Sequence, residues 1–447
     1  MGRYHFIAIG GIGMSGLAKY LLEDGHIVSG SDIAESKYID RLRKLGAKVS
    51  IGHSAENIPN DATVVVSTAI RENNPELVRA KELGLKIYHR SDLLKEISQN
   101  AQENGKCFIG FSGTHGKTTT SGLASYVLDM ANLEPSFVDG GILPDINTNA
   151  QHKGGKHFIA ELDESDGTIV KYSPDILIIN NLEEDHMDFY KNGMPDLIKT
   201  FENAISKAKK VIVNIDNEGI KNLKGSYVTF GLNKADYTAK NINYNSNGTT
   251  FEIYHNDKFL TDIKIQLAGV HNVYNTLAVV AALHEAEVDI NKIKKYFYDF
   301  TGMGRRFQKV CEINGFTVYD DYAHHPTEIK ATLDAAALKF GKENIVAVFQ
   351  PHRYTRLKSL WNEFKNAFGN AGRIIVTDVY AASEDSIDGI SGKNFASELS
   401  GSEYLSGNMQ EVSAKLLPTL KNGDIVIGLG AGTITALGKE LEKISFS

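Results

Sequence analysis

The sequence predicts a multi-domain α/β protein built on parallel sheets. Short β-branched runs alternate with amphipathic stretches throughout, the pattern of strands joined by crossover helices. Two glycine-rich turns each sit between an apolar strand and a helix. The chain has 447 residues; at roughly 150 residues per domain it has room for about three domains. With 42% apolar residues, 23% charged and only 9 Pro, it is not expected to be disordered or of low complexity.

The first block reads as strand Tyr4–Ile9, a glycine turn and helix Ser15–Glu23. Strand Ile27–Ser29, helix Tyr38–Leu45, strand Val49–Ile51 and strand Thr63–Val66 follow. SQNAQENGK, Ser98 to Lys106, lacks apolar periodicity and reads as the first linker. A second block opens with strand Cys107–Phe111 and continues through strands His157–Glu161, Ile176–Asn180 and Lys210–Val213. A β-rich insert around Tyr227–Phe230 and Thr250–Tyr254, with a turn at NSNG, precedes helix Asn272–Ala286. After TGMGRRF, the third block carries strand Thr317–Asp320, helix Thr327–Lys339 and strands Ile345–Phe349, Arg373–Val376 and Asp424–Leu429. Domains are therefore expected over residues 1–103, 104–308 and 309–447.

Lys plus Arg number 48 and Asp plus Glu 55, a formal charge of −7. That balance removes the sequence-independent attraction on which nucleic-acid binders rely, and argues against a polybasic membrane contact. No run approaches the roughly 18 to 20 apolar residues that span a bilayer. Glycines and Lys19 interrupt the apolar N-terminus and no small-residue cleavage site follows, so no signal peptide is expected. Two cysteines, Cys107 and Cys311, fit a reducing compartment. The expectation is a soluble, cytoplasmic, multi-domain α/β protein, as monomer or homodimer.

Gly11-Ile-Gly13-Met-Ser-Gly16 fits G-x-G-x-x-G between a strand and a helix. Its backbone amides can approach a diphosphate at the positive helix N-terminus, and Asp32, ending the next strand, can accept from a ribose hydroxyl. The turn alone leaves the ligand open. A nicotinamide dinucleotide fits, as does another diphosphate, and the glycines can also serve only close strand–helix packing.

Gly113-Thr-His-Gly116-Lys117-Thr118 is more specific. Backbone N–H groups can cradle phosphates, Lys117 can neutralise β/γ oxygens and the Thr118 hydroxyl can reach Mg²⁺. It departs from the common G-x-x-x-x-G-K-[ST] pattern, because Phe111 stands five residues before Gly116. Hydride transfer has no use for a γ-phosphate clamp, so a second nucleotide loop weakens the dehydrogenase reading.

GTHGKTTT, followed by AELDESDG and NNLEEDHMDFY, resembles the Mur ligases of cell-wall peptidoglycan synthesis. The resemblance runs from GGIGMSGLA through HNVYN, GRRF and DDYAHHP to PHRYTR and GAGT, nearly the whole chain. It implies a Rossmann-like N-terminal domain, a central P-loop ATPase-type domain and a C-terminal Rossmann-like domain. It also implies an ATP-dependent acid–amino-acid ligase with ATP and two Mg²⁺ ions. Residue by residue, it implies ATP contacts at Gly113, Thr114, His115, Gly116, Lys117, Thr118 and Thr119, with the adenine against His271, Asn272 and Asn275. Arg305 or Arg306, with Asp320 and Asp321, is implied to reach ATP on domain closure, and the glycines of Gly302–Gly304, which can absorb a large backbone change, are expected to form the hinge. Metal ligation is implied for Thr118, Glu161 and His186, although Asp163, Glu164 and Asp166 make Glu161 one choice within an acidic cluster. UDP-sugar binding is implied at Gly11, Ile12, Gly13, Met14, Ser15, Asp32 and Ser67.

Two arginines three apart, Arg353 and Arg356, can face one way as donors to a carboxylate, and the resemblance puts them by the incoming amino acid. Of His324 and His325, either can guide the attacking amine; Gly430-Ala-Gly432-Thr433 can approach the reacting group. Later-step family members carry a carbamylated Lys about fifteen residues past the His186 position. That count lands on Phe201, with Lys199 nearby, and no modification is assigned. GGIGMSG, PHRYTR and GAGT look like the member that adds L-alanine to UDP-N-acetylmuramate; the alternative is the member that reattaches a recycled tripeptide to the same carrier.

Overall fold

The computed structural model describes every residue except 188, 246, 247, 383 and 447. Three sheets carry the fold. The first has the order β3-β2-β1-β4-β5, all parallel, from β1 (Arg3–Ile7), β2 (Ile27–Asp32), β3 (Lys48–Ile51), β4 (Thr63–Val66) and β5 (Ile87–His89). Helices α1 (Ile12–Glu23), α2 (Lys37–Lys44), α3 (Pro75–Glu82) and α4 (Arg90–Glu103) connect them. This is the Rossmann strand order, in which ligands collect at the carboxyl ends of the strands.

The second sheet has ten strands in the order β15-β14-β13-β12-β11-β10-β6-β9-β7-β8. They are β6 (Cys107–Ser112), β7 (Ser136–Leu143), β8 (Thr148–Gln151), β9 (His157–Glu161), β10 (Ile176–Ile179), β11 (Lys210–Asn214), β12 (Val228–Gly231), β13 (Tyr237–Asn245), β14 (Gly248–His255) and β15 (Lys258–Ile265). Helix α5 (Lys117–Met130) follows β6, α6 (Met194–Ile205) precedes β11, and α7 (Val270–Glu285) follows the insert. Half of the expected NSNG turn, residues 246 and 247, lies outside the described residues. The third sheet, order β16-β17-β21-β18-β19-β20, is parallel except for β16. Its strands are β16 (Gln308–Ile313), β17 (Phe316–Asp321), β18 (Ile345–Phe349), β19 (Arg373–Val376), β20 (Ser402–Tyr404) and β21 (Ile425–Leu429).

The chain divides into two compact units. One comprises Met1–Ile242, Phe251–Lys264 and Tyr274–Phe300; the other comprises Asn243–Thr250, Ile265–Val273 and Thr301–Ser447. In the first, one apolar core runs through both sheets: Phe6, Leu17 and Tyr20 belong to the same cluster as Phe108 and Phe158, and Tyr20 meets Phe158 edge-on at 5.9 Å. Each fully buried phenylalanine contributes about 1.5–3 kcal/mol, against about 0–1 for an exposed ion pair, so this core and not the rim holds the unit together.

The expected linker is a correction. Ser98 to Glu103 form the last turns of α4, and Ser98 and Ala101 are buried at 2% and 4% exposure, so few apolar residues suffice to hold this polar-looking stretch as helix. The first sheet is stiffened by the buried Glu76. Its Oε2 accepts from the Ser31 hydroxyl (2.7 Å) and lies 3.2 Å from His5 Nε2; its Oε1 accepts from Asn57 Nδ2 (2.8 Å) and the Ser54 N–H (3.2 Å). Burial raises the Glu76 pKa, but the bonds from His5, Asn57 and Ser31 outweigh it and hold the group down at about 2. Among the described residues no helix is long and apolar enough to cross a membrane.

Candidate active site

Strand β6 ends at Ser112, and the chain turns through Gly113 and Gly116 into α5. Gly113 has φ +123° and Gly116 φ +81°, in the region that only glycine enters freely. A Cβ on Gly113 would stand 2.9 Å from Asn181 O, and one on Gly116 would stand 2.8 Å from Asn275 Oδ1, so Asn275 borders the loop as expected. Asn181, which follows β10, shapes the loop from behind. It accepts from the Thr114 N–H at its carbonyl (3.1 Å) and from the His115 N–H at Oδ1 (2.7 Å), and its Nδ2 donates to His115 O (3.1 Å). The Glu183 N–H donates to the Thr114 hydroxyl (2.9 Å).

Lys117 Nζ donates to the carbonyls of Gly113 (2.7 Å) and Thr114 (3.1 Å) and to Glu164 Oε1 (3.0 Å), with Oε2 at 2.9 Å. Burial works against the ammonium, but Glu164, Asp163 and Glu161 outweigh it and raise the Lys117 pKa. Three carboxylates share one cation, and the most enclosed of them is the least stable as an anion. Burial pushes Glu164 up to about 7 against the pull of Lys117, whereas Asp163, despite burial, is drawn down to about 2 by Lys117, the Ser165 N–H and Arg90. From sequence, Glu164 was one of three interchangeable acids; the structure singles it out as the partner of Lys117.

Glu161 ends β9 in register with Phe111 of β6, one strand from the loop, and accepts from the Gly140 N–H (3.1 Å). Thr118 and Thr119 lie half-buried in the first turn of α5. His186 has φ +58°, and its Nε2 lies 3.5 Å from Asp185 Oδ2 and 4.0 Å from Glu164 Oε1. Among the described residues no three His, Cys, Asp or Glu side chains form a metal cage. Mg²⁺ takes most of its oxygens from phosphate and water and needs one or two carboxylates, so a hydroxyl at Thr118 and a carboxylate at Glu161 fit a metal carried in with a nucleotide.

The N-terminal turn is built differently. Gly11 caps α1 with an ordinary φ of −64°, and Gly10 N–H donates to Asp32 Oδ2 (2.8 Å). Asp32 Oδ1 accepts from the Ile33 N–H (2.8 Å), so this carboxylate already braces the turn. Gly16 serves packing: a Cβ there would stand 2.6 Å from Asn149 Nδ2, which donates to Ile12 O (2.7 Å). Met14 and Ser15 are buried at 4% and 5%, and the Ser15 hydroxyl turns back to Ile12 O (3.0 Å). The Met14 side chain is core and the Ser15 hydroxyl bonds within its own helix. What the turn offers is backbone, the N–H groups of Ile12, Gly13 and Met14 in the first turn of α1, which have no intrahelical acceptor. Ser67 follows β4, half-buried, and its carbonyl accepts from the Ile70 N–H (3.1 Å).

The remaining expected site residues fall in the second unit. Arg305 has φ +61°; its Nε donates to Asp320 Oδ2 (3.2 Å), its Nη2 to Gly430 O (2.8 Å), and its guanidinium lies 4.8 Å from the Tyr322 ring centre. Thr435 also donates to Asp320 (2.7 Å). Arg353, with φ +68°, caps the short helix Tyr354–Ser359 that contains Arg356, and His352 stacks on Tyr380. Burial, then Arg356, Arg353 and Arg305, drive the His352 pKa down to about 4, so a neutral imidazole stands among three cations. His325 is 6% exposed and caps the helix Pro326–Phe340, its Nδ1 accepting from the Thr327 N–H (3.4 Å). That contact caps the helix and fixes the His325 ring at its N-terminus. Asn272 Nδ2 donates to Ala268 O (2.7 Å) and lies 3.0 Å from His271 Nε2, and burial holds the His271 imidazole down at about 4.

Three models of one family match consecutive stretches: "Mur ligase family, catalytic domain" over residues 3–102, "Mur ligase middle domain" over 111–283 and "Mur ligase, glutamate ligase domain" over 305–432. The chain belongs to the Mur ligase family. A UDP-N-acetylmuramate–L-alanine ligase of Trichlorobacter lovleyi is 41% identical over 99% of this chain and 98% of that protein. The enzyme of the same description from Pelobacter propionicus is also 41% identical, over 98% and 97%. Among solved structures, a UDP-N-acetylmuramate–alanine ligase from Thermotoga maritima superposes with a TM-score of 0.85 at 30% identity, covering all of both chains. A murein peptide ligase from Psychrobacter arcticus reaches 0.73 at 21% identity, which speaks for the fold alone. As a Mur ligase, the chain is ATP-dependent.

Proposed function

We infer that this Mur ligase joins L-alanine to the carboxylate of UDP-N-acetylmuramate, with ATP as the driving reagent, in peptidoglycan precursor synthesis. The observation that carries this reading is full-length identity of about 40% to ligases of that description. The recycled-tripeptide reading rests on weaker likeness, with identities of 21% and 26% to solved ligases of that kind. The dehydrogenase reading leaves the Lys117 loop without a task.

A carboxylate resists an amine because its oxygen is a poor leaving group. A muramyl carboxylate oxygen attacks the γ-phosphorus, ADP leaves, and the resulting acyl phosphate is attacked by the free amine of L-alanine; phosphate leaves and the amine loses a proton. In this account Lys117 and the loop N–H groups stabilise the charge on the transferring phosphoryl oxygens. Thr118 and Glu161 would hold Mg²⁺, with His186 beside a second ion, and the bound metal would neutralise charge on the phosphates. Asn275 and the His271–Asn272 pair take the adenine side, and Arg353 and Arg356 take the carboxylate of L-alanine or the collapsing intermediate. Arg305 and Asp320, tied to one another, reach ATP when the C-terminal domain closes. The Gly11–Gly16 turn holds the UDP diphosphate. The three domains are proposed over residues 1–103, 104–308 and 309–447.

Incubation with ATP, UDP-N-acetylmuramate and each amino acid or the tripeptide L-Ala-γ-D-Glu-meso-diaminopimelate, read as product mass, tests the substrate. Product with L-alanine in preference to the rest is expected; product with the tripeptide alone would overturn the reading.

A further inference from the structure

We propose that Arg90 is the side chain that reads the diphosphate of the UDP-linked substrate. The proposal deepens the functional reading above and rests on its placement of that diphosphate at the Gly11–Gly16 turn. Arg90 opens α4 immediately after β5, two strands from β1 in the sheet and far from the turn in sequence. Its guanidinium nevertheless lies at the turn: Nη1 is 3.6 Å from where a Cβ on Gly13 would stand. Nη2 donates to Asp163 Oδ2 at 3.2 Å, so one arm of the fork is fixed while the other faces the glycine.

The turn needs such a group. GGIGMSGL, Gly10 to Leu17, contains no basic residue, and the backbone amides at the start of α1 provide partial charges only. Two other cations of the first sheet are committed elsewhere. Lys19 donates to Glu23 and Ala150 O at 2.6 Å each, and Arg41 donates to Asn147. Arg90 keeps about a third of its side chain exposed, and its planar fork suits two oxygens of a diphosphate where a lysine would offer a point charge. Gly13 has ordinary contact distances around it, so a methyl there costs the fold little but fills the space between guanidinium and turn.

The test is calorimetric titration of the full chain, without ATP, with UDP-N-acetylmuramate, UDP and UMP. Arg90→Ala is expected to weaken UDP and UDP-N-acetylmuramate alike by about tenfold or more, and UMP by less than about threefold. Arg90→Lys should recover only part of the loss. Gly13→Ala should reproduce the loss for UDP with an unchanged melting temperature, and KM for ATP should stay within about twofold in all three variants. Unchanged UDP affinity in Arg90→Ala overturns the assignment, as does equal weakening of UDP, UMP and ATP, the mark of a merely structural ion pair. If the parent chain binds neither UDP nor UDP-N-acetylmuramate, the functional reading falls and takes this assignment with it; parent binding that the variants leave intact overturns the role of Arg90 alone.

Discussion

The two glycine turns share one grammar, strand then glycines then helix, and differ in what the glycines are for. In Gly113–Thr118 the glycines hold positive φ values, Gly113 faces the backbone of Asn180 and Asn181 and Gly116 the side chains of Asn275 and Asn180, and the cation, Lys117, belongs to the loop and is bound by the loop's own carbonyls. In Gly11–Gly16 every described glycine has an ordinary φ, Gly16 serves packing against Asn149, and the nearest guanidinium arrives from another strand. A loop that must stabilise charge developing during transfer carries a preorganised cation; a turn that only holds a diphosphate can borrow one. The difference teaches that one motif pattern can be built with or without a cation of its own, the feature that separates the two proposed roles.

That contrast can be broken most sharply at Lys117. Lys117→Ala is expected to lower kcat by about a thousandfold, about 4 kcal/mol, with a folded protein by circular dichroism. Activity within tenfold of the parent would make the two turns equivalent. The sheet beneath the first turn should respond to acid through Glu76. Its folded pKa of about 2 lies below the 4.5 of an ordinary glutamate, so its stabilisation is complete above pH 4.5 and is lost as pH falls through about 2. That amounts to about 3 kcal/mol, visible in urea midpoints between pH 6 and pH 2 and flattened in Glu76→Gln. A smaller effect belongs to the brace behind the second loop. Asn181→Ala removes two side-chain bonds to His115 and is expected to cost about 2 kcal/mol, read as a rise in KM for ATP. Last is the glycine pair itself. Gly113→Ala should destabilise by about 1–3 kcal/mol through its positive φ, while Gly11→Ala, with its nearest neighbour at 3.7 Å, should stay within about 0.5 kcal/mol in thermal melts.

Strands β9, β18 and β19 have the bounds that the sequence predicts, because each is an apolar run closed at both ends by polar or turn residues. Both glycine turns were legible because strand, glycine and helix lie together in sequence. The end of α4 was not, since two buried small residues carry no periodic signal. Nor were Asn181 as a brace or Glu164 as the partner of Lys117, because an asparagine in a loop and one acid among several look the same until the sheet brings β10 and β9 beside β6. Arg90 reaches Gly13 only through the order of strands, a relation that spacing along the chain does not encode.

The central claim is that the second loop moves a phosphoryl group onto a carboxylate carried by the first. It is tested most directly with UDP-N-acetylmuramate labelled with ¹⁸O in its muramyl carboxylate, L-alanine and ATP, followed by mass spectrometry of the products. The account predicts one ¹⁸O in the released inorganic phosphate and one retained in the amide carbonyl. Unlabelled phosphate alongside amide product, or label found in AMP, would contradict it.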